Sequence, residues 1–300
     1  MAIVYNDSMT YLSITIDNLE DVESFEKAGA EEFIFAFQNS CFSSARSFLK
    51  EELIHLKKRM MKERRMAVLM NRLFSQFEIK QAQKDLQDLL EAGIESILFA
   101  DLALLQKAKE LGRMKQLIYS PETLVTSSLD AEIWMSLGLQ RAVISPLLTE
   151  REIMTISSMV PHLSLPIHGY QMMSVSKRHL LSAYQNYSHL EHSLVRNQKL
   201  WIQETHRDGH MPIYEDEFGT VIYTDFVLQS FKYIQKFVER GVERLEMNSH
   251  YLSKEENEQA IQSYSKILNG ANYEEEEMKY RKAFSDLPLE DGYYGQKTIR

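Results

Sequence analysis

One short pattern recurs four times in this chain, and it constrains the fold more than any other feature. A helical stretch reaches a glycine, a few residues follow, and an apolar run begins. The copies are KAGAEEFIFAF around Gly29, EAGIESILFAD around Gly93, SLGLQRAVIS around Gly138 and ERGVERLEMN around Gly241. Glycine just past a helix end suits the left-handed cap, because no Cβ clashes there. An apolar run reads as a strand covered on both faces, as in a parallel sheet flanked by helices. Each copy is therefore a helix-to-strand junction.

Further strands fit between the copies: Tyr11–Ile16, Ala67–Met70 before Asn71, Gln116–Tyr119, and Leu163–Ile167 before His168. Amphipathic helical stretches separate them, at 19–28, 47–63, 78–92, 102–111, 130–137, 150–160, 226–240 and 254–268. Eight strands alternating with eight helices imply parallel pairing, and that number favours a closed (β/α)8 barrel. An open doubly wound sheet is the alternative. The barrel is expected over residues 1–270. Residues 169–225 form an insertion after the seventh strand, with a helix near Lys177–Ser188 and short runs at 200–205, 211–214 and 220–223. Turn-like residues at 207–209 and 217–219 make these runs a small antiparallel β lobe. Loops after barrel strands lie at the catalytic face, so the lobe should overhang it. The C-terminal tail, 271–300, carries Glu274–Glu277 and a final segment at 297–300. It either packs under the barrel, contacts a partner or is solvated.

The chain has 300 residues, 44% hydrophobic and 26% charged, enough to bury a sizeable core. Its formal charge of −9 argues against gripping nucleic acid by bulk positive charge, though not against a local basic patch. Cys41 is the only cysteine, so neither an intrachain disulfide, a multi-cysteine zinc site nor a cysteine-bound iron–sulfur cluster can be built from this chain. No metal site is expected. The start of the sequence does not read as a signal peptide and no run of 18 apolar residues occurs, which makes the cytoplasm the expected location. Phosphate-loop, dinucleotide and GxSxG motifs are absent.

Function in a barrel comes from the C-terminal ends of strands, here Asp17, Gln38, Asn71, Asp101, Ser127, Ser145, His168 and Asn248. His168 stands out as a potential proton shuttle or ligand directly after an apolar strand. A histidine that merely caps the strand is the competing reading. Gly169 would let a ligand approach the backbone, and Ser174, Ser176, Lys177 and Arg178 form an anion-friendly loop or, as well, a solvated helix start. The pairs His189/His192 and His206/His210 have metal-site spacings without a third ligand. Glu215–Glu217 reads as a solvated hairpin rather than a cation site. The run KKRMMKERR (Lys57–Arg65) is the densest basic patch; it either touches RNA phosphates or is a solvated helix face.

Several blocks, taken together, resemble a known family. LSLPIHGYQMMSVSKRHLLSAY (Leu163–Tyr184) resembles the signature of the collagenase-like "U thirty-two" peptidases: an apolar strand, His-Gly, then Ser and a basic residue before Leu-x-Ser-x-Tyr. CFSSARSF (Cys41–Phe48), MAVLMNRLF (Met66–Phe74) and MPIYEDEFGT (Met211–Thr220) resemble further blocks in the same order. Two departures matter. Met172 and Met173 stand where cysteines are common in the family, some members of which hold an iron–sulfur cluster. The family's Glu-Gly-Arg after the last strand is Asn248-Ser249-His250 here.

In these departures the chain looks most like the short, cysteine-poor subunit of paired bacterial members. That resemblance implies a component of prephenate-dependent hydroxylation of the tRNA wobble uridine to 5-hydroxyuridine, acting with a larger, cysteine-bearing relative. It further implies prephenate as co-substrate, tRNA met through the complex, and no cluster in this chain. His168 becomes the expected catalytic residue, with Arg46, Asn71, Gly169, Ser176, Arg178 and Asn248 around the substrate. A peptidase, as the family name says, and a non-catalytic binding or scaffolding subunit are the alternatives.

Overall fold

The computed structural model describes residues 10–42, 46–206 and 208–296. Seven strands come first: β1 (Tyr11–Thr15), β2 (Glu32–Ala36), β3 (Arg65–Met70), β4 (Ser96–Phe99), β5 (Leu117–Tyr119), β6 (Arg141–Val143) and β7 (Leu163–Ser176). They alternate with α1 (Val22–Ala28), α2 (Lys50–Arg59), α3 (Ile79–Glu91), α4 (Leu102–Glu110), α5 (Ser128–Ser136) and α6 (Glu150–Met159). The insertion supplies α7 (Leu180–Tyr187), β8 (Trp201–Ile202), β9 (Met211–Asp216) and β10 (Gly219–Leu228). Then follow α8 (Ile234–Glu239), β11 (Val242–Met247), α9 (Lys254–Leu268), α10 (Tyr273–Ala283) and β12 (Leu289–Glu290).

Strands β1 to β7 pair in parallel with their sequence neighbours, and β11 pairs in parallel with both β7 and β1. The ring of eight is closed, so the chain is a TIM barrel and the open-sheet alternative falls. The four junction glycines have positive φ, 120°, 90°, 82° and 103° in sequence order, as a helix-ending cap requires.

Alternation along each strand sorts the side chains. Phe33 and Phe35, Val68, Ile97 and Phe99 face the helical layer, while Ile34, Ala67, Leu69, Leu98, Ile118 and Val143 pack together in the lumen. Where β11, β1 and β2 meet, the lumen is charged. Arg244, fully buried, bonds Glu32 Oε2 at 2.6 Å and Ser13 Oγ at 2.8 Å and also pairs with Glu246. Ser13 Oγ donates in turn to Glu32 at 2.8 Å. Desolvation of the guanidinium is offset only because two carboxylates and a hydroxyl surround it.

Three elements differ from expectation. β7 does not end before His168 but runs to Ser176, and its second half pairs antiparallel with β10 to found the lobe. The expected helix over 226–240 shrinks to α8, because Val227 and Leu228 are claimed by β7 on one side and β12 on the other. Two sheet partners outweigh a weak helical propensity. The tail packs against the barrel: Tyr280 is fully buried, Tyr294 nearly so, and β12 extends the lobe sheet. Burying an aromatic side chain stabilises by about 1.5–3 kcal/mol and offsets part of the entropy lost in ordering the tail. The turn residue Arg207 and the final 297–300 segment lie outside the described residues.

Candidate functional site at the barrel mouth

The C-terminal ends of the strands enclose a cavity of about 730 Å3, counting its open mouth. Its floor is apolar, from Ile34, Leu69, Leu98, Val143 and Pro166. Its walls are polar: Thr15, Asn71, Ser120, Glu122, Gln171, Glu246, Asn248 and His250. The lobe closes one side with Met172 and Tyr223.

Glu122 is the chemically distinctive group. It sits in the loop between β5 and α5 at φ 64°, a backbone region that non-glycine residues occupy at a cost. The residue is half-buried, yet its carboxyl turns inward and accepts from Asn71 Nδ2 in a short hydrogen bond. Asn71, which follows β3, accepts from the Phe42 backbone N–H at 3.2 Å through its other amide atom. One buried amide thus ties two mouth loops together. Burial, reinforced by the negative charge of Glu246, raises the Glu122 carboxyl to about 7, with Asn71 and His250 opposing. Glu246 is raised by burial as well, against the pull of Arg244. A carboxyl poised near 7 is suited to giving and taking a proton.

Beyond β11 the chain places Asn248, Ser249 and His250. Asn248 Nδ2 donates to the Tyr170 carbonyl at 2.7 Å, and its Oδ1 accepts from the His250 N–H at 3.0 Å. His250 Nδ1 lies 2.8 Å from the Asp17 carboxylate, an orientation that presents the rest of the ring to the mouth. Asp17 also accepts from Ser249 Oγ at 3.3 Å, and that hydroxyl meets Thr15 Oγ1 at 2.8 Å. The serine therefore lies on the aspartate, not on the histidine, and no Ser-His-Asp relay is assembled.

His168, the expected catalytic residue, is held by two tyrosines. It borders the cavity, but its ring is fully buried against α9 and α10, with Nδ1 3.3 Å from Tyr264 Oη and Nε2 3.2 Å from Tyr280 Oη. Tyr264 Oη reaches the Ile167 carbonyl at 3.1 Å and accepts from the Ser230 N–H at 2.8 Å. The network is satisfied when Nδ1 carries the proton and Nε2 accepts from Tyr280. Burial lowers the imidazole to about 3, so it is neutral at physiological pH. A register shift between β7 and β11 at this point turns the side chain away from the lumen.

A stability signature follows. Because the folded-state pKa lies below the unfolded value of about 6.5, the stabilisation is complete above 6.5 and drains as pH falls toward 3. Between pH 7 and 5 the chain should lose about 2 kcal/mol from this group alone. Urea unfolding at the two pH values checks this. A His168→Gln variant should show a correspondingly smaller loss, and an identical loss in both proteins would overturn the assignment.

Gly169 also serves the fold. At φ 101°, an added Cβ would sit 2.2 Å from the Asn248 carbonyl oxygen, so the backbone just past β11 makes the close approach. Ser176 lies on the lobe, its Oγ accepting from the Arg178 N–H at 3.1 Å, and Arg178 is exposed there. Arg46 is exposed with its guanidinium 4.8 Å over the Phe48 ring. Of the expected ligand residues, the mouth brings together Asn71 and Asn248; Arg46, Ser176 and Arg178 stay outside it. Glu215, expected on a solvated hairpin, is buried and accepts from Leu181 and Ser182 N–H groups at 2.7 and 3.2 Å, anchoring the start of α7. The histidine pairs gain no third ligand: among the described residues no three His, Cys, Asp or Glu are grouped to hold a metal.

Sequence reasoning missed Glu122, Glu246 and His250. The charged alternation of VERLEM carried a signal for Glu246, since a glutamate two residues from an arginine shares its face of the strand. Nothing local marked Glu122.

An eight-stranded parallel barrel with its polar groups gathered at the strand C-terminal ends has the layout of TIM-barrel proteins that bind and transform small groups in the mouth. The chain belongs to Peptidase family U32, whose model matches residues 17–298. It is 25% identical over 242 residues to tRNA hydroxylation protein P2 of Bacillus subtilis (strain 168), covering 79% of this chain and 78% of that one. It is 22% identical over 239 residues to tRNA hydroxylation protein P of Escherichia coli (strain K12), covering 65% of this chain and 53% of that longer relative. Among solved structures, phosphoribosyl anthranilate isomerase of Thermotoga maritima superposes with a TM-score of 0.48 at 10% identity, covering 88% of this chain and all of that one. Among the described residues no helix is long and apolar enough to cross a membrane.

Proposed function

We propose that the chain is a component of tRNA hydroxylation, acting on the wobble uridine together with a larger family member. The observation that carries this reading is the relationship to tRNA hydroxylation protein P2 over 79% of the chain. The barrel mouth supports it chemically. Glu122 is the group positioned to donate a proton to, or take one from, a ligand seated on the apolar floor. His250, oriented by Asp17, faces the same space.

One implied group does not suit this mouth. Prephenate is a dicarboxylate, whereas the mouth offers Glu122 and Glu246, and Arg244 behind them already bonds Glu32, Glu246 and Ser13. Placing two more carboxylates there would add like-charge repulsion in a desolvated space. On this reading prephenate is engaged by the partner.

Deleting the gene and measuring 5-hydroxyuridine derivatives in tRNA by mass spectrometry tests the proposal. Their loss, restored by the plasmid-borne gene, is the expected result. Unchanged levels in a strain without a second hydroxylation route would refute it.

A further inference from the structure

We infer that the lobe is the RNA-docking surface of this chain, holding a single-stranded loop and leading it along a groove into the barrel mouth. The inference rests on the tRNA reading above. It is drawn from charge, exposed rings and the shape of the surface.

Cations gather on one part of the lobe: residues 177–210 carry five Lys and Arg against three Asp and Glu, while the whole lobe, 169–225, carries five against seven. Lys177, Arg178 and Lys199 are exposed, and among the described residues none of the three makes an ion pair. Five of the nine histidines, at 179, 189, 192, 206 and 210, are exposed on the same segment. In the denser run at 57–65 Lys57 is paired with Glu95, Arg64 with Glu26 at 2.7 Å, and Arg65 lies over the Tyr11 ring, while Lys58, Arg59 and Lys62 are exposed. The run follows the C-terminal end of α2, at the barrel face opposite the mouth.

Rings accompany the charge. Tyr187 is 84% exposed, Tyr184 58% and Trp201 45%. Packing gives Tyr187 no reason to be aromatic. A nucleobase stacked on such a ring supplies one, and stacking is the usual way proteins hold unpaired bases. Trp201 contacts Tyr170 edge-on and Tyr251 at a tilt, with ring centroids 6.0 and 6.3 Å apart, and Tyr251 in turn packs on Tyr223 of the cavity wall. The exposed tryptophan is thus joined to the mouth by contacting rings.

Shape completes the case. A groove of about 950 Å3 runs from Lys177 along Val175 and Met173 of β7, facing the loop that carries Glu122 and Leu124. Met173 and Leu124 on its two walls are 51% and 66% exposed. Phe42, Asn71, Glu122 and Met172 line both groove and cavity, so the two are continuous. A phosphate at Lys177 and a base on the apolar wall would bring the next nucleotide to Glu122.

The test is fluorescence anisotropy of a labelled tRNA anticodon stem-loop with the purified full chain. The combined variant Lys177→Ala, Arg178→Ala, Lys199→Ala should weaken binding about tenfold or more and flatten its salt dependence by about two charges' worth. Trp201→Ala should weaken it about fivefold or more with the salt slope intact. The combined variant Lys58→Ala, Arg59→Ala, Lys62→Ala, on the opposite face, should stay within about twofold of wild type. No binding by the wild-type chain, lobe variants that bind as tightly as wild type, or a DNA duplex that competes as well as the loop would each overturn the inference. The underlying function fails separately: lobe-dependent RNA binding with unchanged hydroxyuridine in the deletion strain defeats the function and leaves the docking surface standing. Full rescue of hydroxyuridine by the lobe variants defeats the docking surface alone.

Discussion

Arg244→Ala is expected to lower the unfolding free energy by about 3–5 kcal/mol, the largest single-site loss we anticipate. The reason is what the arginine leaves behind. Glu32 and Glu246 would face one another across the lumen without the guanidinium that bonds both, and Ser13 would lose its donor. Two carboxylates in one buried space cannot both stay ionised without cost. The loss should shrink as pH falls and protons replace the missing cation. Removing Glu246 as well should recover part of it, because the two residues share one network. Urea midpoints of the single and double variants at pH 5 and 8 measure this. A loss below about 1 kcal/mol would show that water reaches the site and screens the pair.

Glu122→Gln is expected to separate stability from function. Glutamine keeps the size and hydrogen-bonding shape of the protonated acid but transfers no proton, so restored 5-hydroxyuridine in the deletion strain should fall about 100-fold or more. Stability should move the other way. The folded-state pKa of Glu122 is raised to about 7, so the fold favours the protonated form and loses stability as pH rises from the unfolded value toward and through 7. The glutamine variant lacks that penalty; its urea midpoint should match wild type at about pH 4 and exceed it at about pH 8. Full activity in the variant would mean that Glu122 only shapes the loop. A residue strained at φ 64° and held beside a like charge is a cost the fold bears locally, which is where function is usually found.

The barrel was readable because its cause is local and repeated. Each glycine cap ends one helix wherever it occurs, and each apolar run becomes a strand once helices cover both faces. Helix α9 was legible to the residue because Ser253 and Glu256 form a capping box at its start. The 226–228 stretch was not, because its conformation depends on β12, sixty residues away. Site residues divided along the same line. Asn71 and Asn248 followed from their places at strand ends, and both line the mouth. Glu122 lies in a loop whose direction is set by a bond to Asn71, and no pattern in its own neighbourhood announces that.

His168 shows the division most clearly. The sequence alone determined that a histidine and a glycine follow the apolar run of the seventh strand, and that the strand belongs to a parallel set alternating with helices, since periodicity and caps are short-range. Only the tertiary structure decided which way the imidazole turns. A register shift against β11 and the arrival of Tyr264 and Tyr280 from α9 and α10 fix it away from the lumen. In the proposed function the acid–base task goes to Glu122, whose proton affinity is created by burial and by the charge of Glu246, a neighbour 124 positions along the chain. Burial and through-space charge depend on what the whole fold brings together, and so they are absent from any local stretch of sequence.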